Sequence, residues 1–262
     1  MIGIFDSGIG GLTVASAFRE KLQGYDIVYF GDTARTPYGT KSPETVISYS
    51  LQNAEFLISQ GAKIIVIACN TASSIAAGAI VNKFDIPLFE VITPAVNLSI
   101  QASRNFQIGV IGTRATIKSN IYEQKILQAN PNARVYSVAC PMLVPLVEEG
   151  WFKRPETRMI VKKYLHPLKV RKIDTLILGC THYPLLKNII QIKIGKRVKV
   201  IDSAEGVVED VKRFLKNNPK VDGTLSKKED HKIFVSDITE QFEKTAKVTL
   251  KRNVTLEHIT IS

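Results

Sequence analysis

The chain is poor in sulfur and almost without tryptophan. Its 262 residues hold three cysteines, three methionines and one tryptophan. Three thiols cannot all pair with one another, and none stand as Cys-x-x-Cys, so neither a disulfide framework nor a zinc ribbon is expected. The four histidines are scattered, and no metal site is expected. No apolar run approaches the ~20 residues that span a bilayer, so no membrane partner is expected. The opening Met1-Ile2-Gly3-Ile4-Phe5 has a strand pattern and no basic leader. We therefore expect a cytoplasmic protein with free thiols. Gly8-Ile9-Gly10-Gly11 lacks the dinucleotide-binding spacing, and no P-loop lysine follows it. Nothing in the chain announces a pyridoxal phosphate site.

What remains is ordinary in amount and uneven in placement. Hydrophobic residues make up 45% and charged residues 23%, enough for a large core and two domains. The net charge is +11. Residues 151–200 carry thirteen Lys and Arg against only Glu156 and Asp174, so the rest of the chain is near neutrality. Two readings stay open for that segment. It is a solvated outer face on two helices, or a basic face that attracts anions. No aromatic residues alternate with the charges, which argues against nucleic acid.

Apolar runs alternate with helical patterns, the sign of an α/β fold. Gly3-Ile4-Phe5 ends in the glycine loop at Asp6-Ser7-Gly8, and a helix follows over Leu12–Leu22. Ile27–Phe30 is a second strand, and it empties into a long loop, Gly31 to Ser42. Ser42-Pro43-Glu44 opens a helix with a hydroxyl cap. Ile64–Ala68 reads as a central parallel strand buried on both faces. Helices or strands are also expected at 72–84, 88–92, 117–128, 134–138, 155–165, 175–178, 184–194 and 198–201. Cys140 falls in a helix-like stretch and is expected to be structural. Trp151 is expected to pack at a helix start. Residues 217–230 read as a polar loop. The tail is expected to hold a strand at 233–236, a helix at 238–247, and β-prone segments at 248–251 and 254–261.

The pattern restarts within the chain. Ile108-Gly109-Val110-Ile111-Gly112 echoes Ile2-Gly3-Ile4-Phe5-Asp6 at an offset of 106. Cys180 repeats the position of Cys69 at an offset of 111. Both cysteines end an apolar run, and both are followed by small polar residues. We expect two similar α/β domains with mostly parallel sheets flanked by helices, and an active-site cleft between them. The division is drawn as 1–94 plus 205–262 for the first domain and 95–204 for the second, with the tail folded back on the first. Parallel sheets put ligands beyond the carboxyl ends of their strands, so one thiol would enter the cleft from each wall.

A thiol and a thiolate on opposite faces of one carbon form an acid–base pair that inverts it. Only a few per cent of a free thiol is ionised at neutral pH, so each needs help. A following helix N-terminus favours a thiolate, and Asp6 and His182 are placed to hold or relay protons. The partner thiol is expected to be protonated, and the base thiol to ionise only when the cleft closes. A thiol redox pair is a rival reading, but it requires sulfurs close enough to bridge.

Four motifs carry a resemblance across nearly the whole chain. They are Asp6-Ser7-Gly8-x-Gly10-Gly11, Gly31-Asp32-Thr33-Ala34-Arg35-x-Pro37-Tyr38-Gly39, Ala68-Cys69-Asn70-Thr71-Ala72 and Gly179-Cys180-Thr181-His182-Tyr183-Pro184. They resemble the glutamate racemase family, of the cofactor-independent aspartate/glutamate racemase superfamily. The resemblance implies interconversion of L- and D-glutamate without a cofactor, supplying D-glutamate for peptidoglycan. It implies Cys69 as the base toward D-glutamate and Cys180 toward L-glutamate, with Asp6 and His182 assisting. Implied substrate contacts are Asp6, Ser7, Tyr38, Gly39, Asn70, Thr71, Thr113, Thr181 and His182. Asp32 and Glu148 are implied in supporting roles, and a homodimer is the expected assembly. Thr93 and Thr36 depart from the family pattern. The alternative substrates are aspartate or another amino acid of the superfamily. The alternative of a different class is an anion- or nucleic-acid-binding protein built on segment 151–200.

Overall fold

The structure, a computed structural model, describes residues 1–250 and 255–261. In chain order the first part runs β1 (Ile2–Asp6), α1 (Leu12–Lys21), β2 (Ile27–Gly31), α2 (Pro43–Ser59), β3 (Ile64–Ile67), α3 (Asn70–Lys83), β4 (Leu88–Glu90) and α4 (Ile92–Ala102). The second runs β5 (Gln107–Gly112), α5 (Arg114–Lys118), α6 (Ile121–Ala129), β6 (Arg134–Ala139), α7 (Leu143–Glu148), α8 (Pro155–Val170), β7 (Thr175–Gly179), α9 (Lys187–Ile194) and β8 (Lys199–Ile201). The chain closes with α10 (Ser203–Asn217), α11 (Pro219–Thr224), β9 (His231–Val235), α12 (Glu240–Leu250) and β10 (Glu257–His258).

Two parallel sheets result, flanked by helices. One has the order β10-β9-β2-β1-β3-β4 and the other β6-β5-β7-β8. If the tail strands are set aside, the two orders are the same. In each sheet, one central strand lies between its two successors. Ile2 is in register with Ile64, and Ile108 with Thr175. The offsets of 106 and 111 read from the sequence therefore relate equivalent strands of the two sheets, β1 to β5 and β3 to β7. β1 and β3 are buried along their whole length, as β-branched strands covered on both faces should be. Each large aliphatic side chain so buried contributes about 1.5–3 kcal/mol relative to exposure.

The chain passes between the sheets twice, through α4 and through α10. Val207, Val208, Val211 and Leu215 form a buried stripe along α10 at helical spacing. A Cβ on Gly206 would stand 2.7 Å from the Cβ of Pro94, so α10 seats on α4 only because that position is bare. The drawn division points, 94/95 and 204/205, fall inside these helices. One hydrophobic cluster runs from Ile4 and Leu12 through to Leu143, Leu178 and Val207.

Several local expectations change. The polar segment 217–230 contains α11, which starts at Pro219, a residue suited to a first helical turn. Residues 248–250 extend α12 rather than form a strand, because Ala246 and Leu250 keep its apolar stripe buried. The rest of that predicted segment, residue 251, and residue 254 of the next lie outside the described residues, and only Glu257–His258 of the remainder pairs as a strand. β4 stops at Glu90, whose carboxylate accepts from the N–H groups of Ile92 and Thr93 and so starts α4 early. Cys140 sits in the turn between β6 and α7 rather than in a helix. Trp151 is 40% exposed and lies beside the Arg154 guanidinium, so it is only partly packed. The cations of segment 151–200 lie mainly on α8, α9 and their flanks, and most are exposed. No helix among the described residues is long and apolar enough to cross a membrane.

Candidate active site

Cys69 stands two residues past β3 and is the N-cap of α3. Its sulfur accepts from the Ala72 N–H at 3.5 Å and donates to the Ser7 hydroxyl at 3.4 Å. Ser7 follows Asp6, the last residue of β1. Asp6 is fully buried. One of its oxygens accepts from the N–H groups of Gly8 and Gly11, each at 3.0 Å. The other accepts from the Thr181 hydroxyl at 3.1 Å, a bond between the two halves.

Cys180 directly follows β7. Its sulfur is 3.7 Å from His182 Nδ1. The other ring nitrogen of His182 is 2.5 Å from the Glu148 carboxylate, at the end of α7. Instead of an α-helix, a short 3-10 turn, Tyr183–Leu186, comes next. Equivalent strands thus present the two thiols in unlike surroundings.

Between them lies a small cavity. Its walls are Ser7, Pro37, Tyr38, Gly39, Cys69, Asn70, Thr71, Thr113, Val144, Cys180, Thr181 and His182. Every thiol and substrate contact implied by the sequence is on that wall except Asp6, which stands behind it. The cavity volume is about 10 Å³, roughly what one water needs, so the cleft is closed. Asn70 accepts from the Tyr122 hydroxyl at 2.5 Å, while its side-chain nitrogen is buried without a partner. Such an orphan costs about 1–3 kcal/mol, and a carboxylate in the cavity would satisfy it. The hydroxyls of Thr71, Thr113 and Thr116 form a triangle with edges of 2.9, 3.0 and 3.2 Å across the two halves.

Tyr38 and Asp32 work differently from a direct contact. The Tyr38 hydroxyl donates to Asp32 and accepts from Asn53 at 3.0 Å, so it turns away from the cavity and offers its ring as a wall. Asp32 is fully buried, and it also accepts from Arg35 Nε and from Ser236 at 3.0 Å. It ties down the loop that carries Pro37, Tyr38 and Gly39. Sequence reasoning missed Asn53, Tyr122, Thr116 and Ser236, which hold these groups from behind. Asn53 and Tyr122 lie in helices α2 and α6, where no motif marks them.

Burial governs the charges here. It pushes the Cys69 thiol up to about 12, Asp6 adds to the effect, and the Ser7 and Ala72 bonds offset it only partly. The helix N-terminus does not prevail at Cys69, because desolvating the charge outweighs the dipole, and a protonated thiol is what the partner role needs. Burial also raises Asp6, against the opposing pull of His182 and the Gly11, Gly8 and Thr181 bonds. Burial would lower His182, yet its bonds to Cys180 and Glu148 prevail and hold it well above its usual value. Cys140 is raised by burial and lies outside the cavity wall. All three cysteines are free, so no disulfide joins the two thiols. No cluster of three or more His, Cys, Asp or Glu able to hold a metal occurs among the described residues.

Paired thiols at the ends of matched strands thus close on one small cavity lined by polar groups. The family model for Asp/Glu/Hydantoin racemases matches residues 12–211, and the chain belongs to that family. It is an amino-acid racemase. The relatives it resembles over full length are glutamate racemases. That of Persephonella marina is 46% identical, covering 100% of this chain and 97% of its own. A glutamate racemase isoform from Bacillus anthracis superposes with a TM-score of 0.93 at 37% identity, covering 100% and 97% of the two chains. That of Francisella tularensis, solved in complex with D-glutamate, gives 0.90 at 40% identity, covering 99% and 97%.

Proposed function

We propose that this racemase acts on glutamate, by two thiols that work on opposite faces of the α-carbon. The observation that carries the reading is the shared cavity. Cys69 and Cys180 both line it, each from the end of an equivalent strand in its own sheet, which supports an approach from two sides. Glutamate as substrate is supported by the relatives' activity and by the polar wall.

In the direction from L- to D-glutamate, the Cys180 thiolate removes the α-proton. The Cys69 thiol then gives its proton to the opposite face. The reverse direction exchanges the roles. The intermediate is a carbanion whose charge spreads into the α-carboxylate. The Asn70 amide, with its unpartnered N–H₂, and the Thr71 hydroxyl are the donors placed to stabilise it. Because Cys69 is protonated in the closed site, it is ready as the acid. The transfer leaves Cys69 as the thiolate and Cys180 as the thiol, the state from which the reverse direction starts, and the substrate's ammonium is the cation that offsets the Cys69 thiolate. His182, kept cationic by Glu148, serves the same purpose beside Cys180. The product fits a cytoplasmic supply of D-glutamate for peptidoglycan.

The test is circular dichroism of L- and D-glutamate with purified protein and no added cofactor. Both enantiomers should decay to zero ellipticity. In deuterated water the product should carry deuterium at the α-carbon. A protein that leaves glutamate unchanged while racemising aspartate would overturn the substrate.

A further inference from the structure

Just outside the closed cavity lies a second and larger one, of about 630 Å³. Its walls include Lys41 and Ser42 before α2, Ile75 on α3, and Arg114 and Lys118 one turn apart on α5. The two halves both contribute: Lys41 comes from the first, and Arg114 and Lys118 from the second. No carboxylate lines this cavity. All three cations are exposed, and no ion pair to any of them is seen among the described residues.

The two cavities share Gly39, and Arg114 follows Thr113 of the inner wall. A Cβ on Gly39 would stand 2.5 Å from the Cβ of Thr113. Only a bare residue lets the halves meet there, so Gly39 and Thr113 form the seam that separates inside from outside. The Thr71–Thr113 hydroxyl bond, 2.9 Å long, lies at the same seam. A substrate that passed between Gly39 and Thr113 would stand among the three cations.

We propose that this outer cavity is a binding site for amino-dicarboxylate anions, which hold there before the seam opens. Lys41, Arg114 and Lys118 then select the substrate class, favouring amino acids of net negative charge over neutral ones. The inference rests on the reading of the chain as a glutamate racemase. The cations are exposed, so their pull is screened by salt.

The test compares the native protein with K41Q/R114Q/K118Q, at low ionic strength and at about 300 mM, where the screening length falls well below 10 Å. Racemisation gives KM and kcat, and equilibrium dialysis of labelled glutamate gives Kd. At low salt the variant should show KM and Kd raised about 3–10-fold, with kcat moving less than about twofold. Added salt should bring the native values up to those of the variant and leave the variant flat. The charge-retaining K41R/R114K/K118R should behave as native, which separates charge from folding. A variant that keeps the native Kd and its salt dependence overturns the outer site. If the native protein binds glutamate without racemising it, the proposed activity falls while dialysis still decides the outer site. If it binds no glutamate, both fall.

Discussion

The two walls of the cleft start from the same architecture and end in different chemistry. On the first wall, a fully buried carboxylate, a serine and a helix N-terminus surround Cys69. On the second, an imidazole backed by a carboxylate serves Cys180. Enantiomers have equal free energy in water, so the reaction itself is symmetric. On the proposed two-thiol reading, a symmetric reaction is carried out by unlike catalysts. It requires only that kcat/KM be equal in the two directions, and any variant must obey that too. Asymmetry between the walls can appear only in separate kcat and KM values, in pH profiles and in isotope exchange.

The strongest way to break the comparison is to remove one sulfur. Cys69→Ala and Cys180→Ala should each lose about 10²–10⁴-fold or more in racemisation, the range set by one acid or base. Their exchange should differ. Cys69→Ala should still wash deuterium into L-glutamate, and Cys180→Ala into D-glutamate, as read by mass spectrometry. Equal exchange of both enantiomers in both variants would sink the assignment of faces.

Next comes Asp6→Asn, with an expected loss of about 10²-fold. Its stability should move the other way. The folded Asp6 carboxyl is raised above its usual value, so the folded state binds the proton more tightly than the unfolded state. Its contribution to stability therefore falls as pH rises from about 4 through the folded value. Urea melts across that window should show the native protein losing ground to the variant. A parallel pH dependence of the two would refute the buried charge.

Glu148→Gln tests the second wall, with about a tenfold loss at alkaline pH and less near pH 6. His182 is held high by Glu148 and Cys180. That raised value contributes stability fully below the imidazole's ordinary ~6.5 and loses it as pH rises through the folded value. Removing the carboxylate should shift the alkaline limb of kcat to lower pH. An unmoved limb would mean that His182 does not hold the relevant proton.

The smallest effect is expected from the third thiol. Cys140→Ala should leave racemisation within about twofold and cost about 1 kcal/mol in urea unfolding, as for a small buried truncation. A large loss of activity would extend the proton path beyond the two walls.

The sheets and the two thiols were legible because they are written as periodicity. Buried parallel strands read as unbroken Ile and Val, and the repeat of strand plus cysteine shows at a fixed offset. The groups one layer back were not legible. Asn53 in α2 and Tyr122 in α6 look like any polar or aromatic helix residue, and only the fold brings them to Tyr38 and Asn70. Asp32 was legible as a motif residue but not as a brace, since that role is decided by Ser236, which lies 204 positions away. Which thiol carries the proton was not legible either. A helix terminus is visible in sequence, whereas the desolvation that overrides it depends on how tightly the cleft shuts.

The pairing of α4 with α10 has a mechanical consequence. Those helices carry both covalent crossings, and they interlock through apolar side chains and the bare Gly206. The Thr71–Thr113–Thr116 contact is made of hydroxyls that water can replace. Prising the apolar joint apart would expose surface at about 25 cal/mol per Å², whereas wetting the hydroxyls costs little. Any opening of the cleft would therefore turn about that apolar joint, and the angle there would set the sulfur-to-sulfur gap.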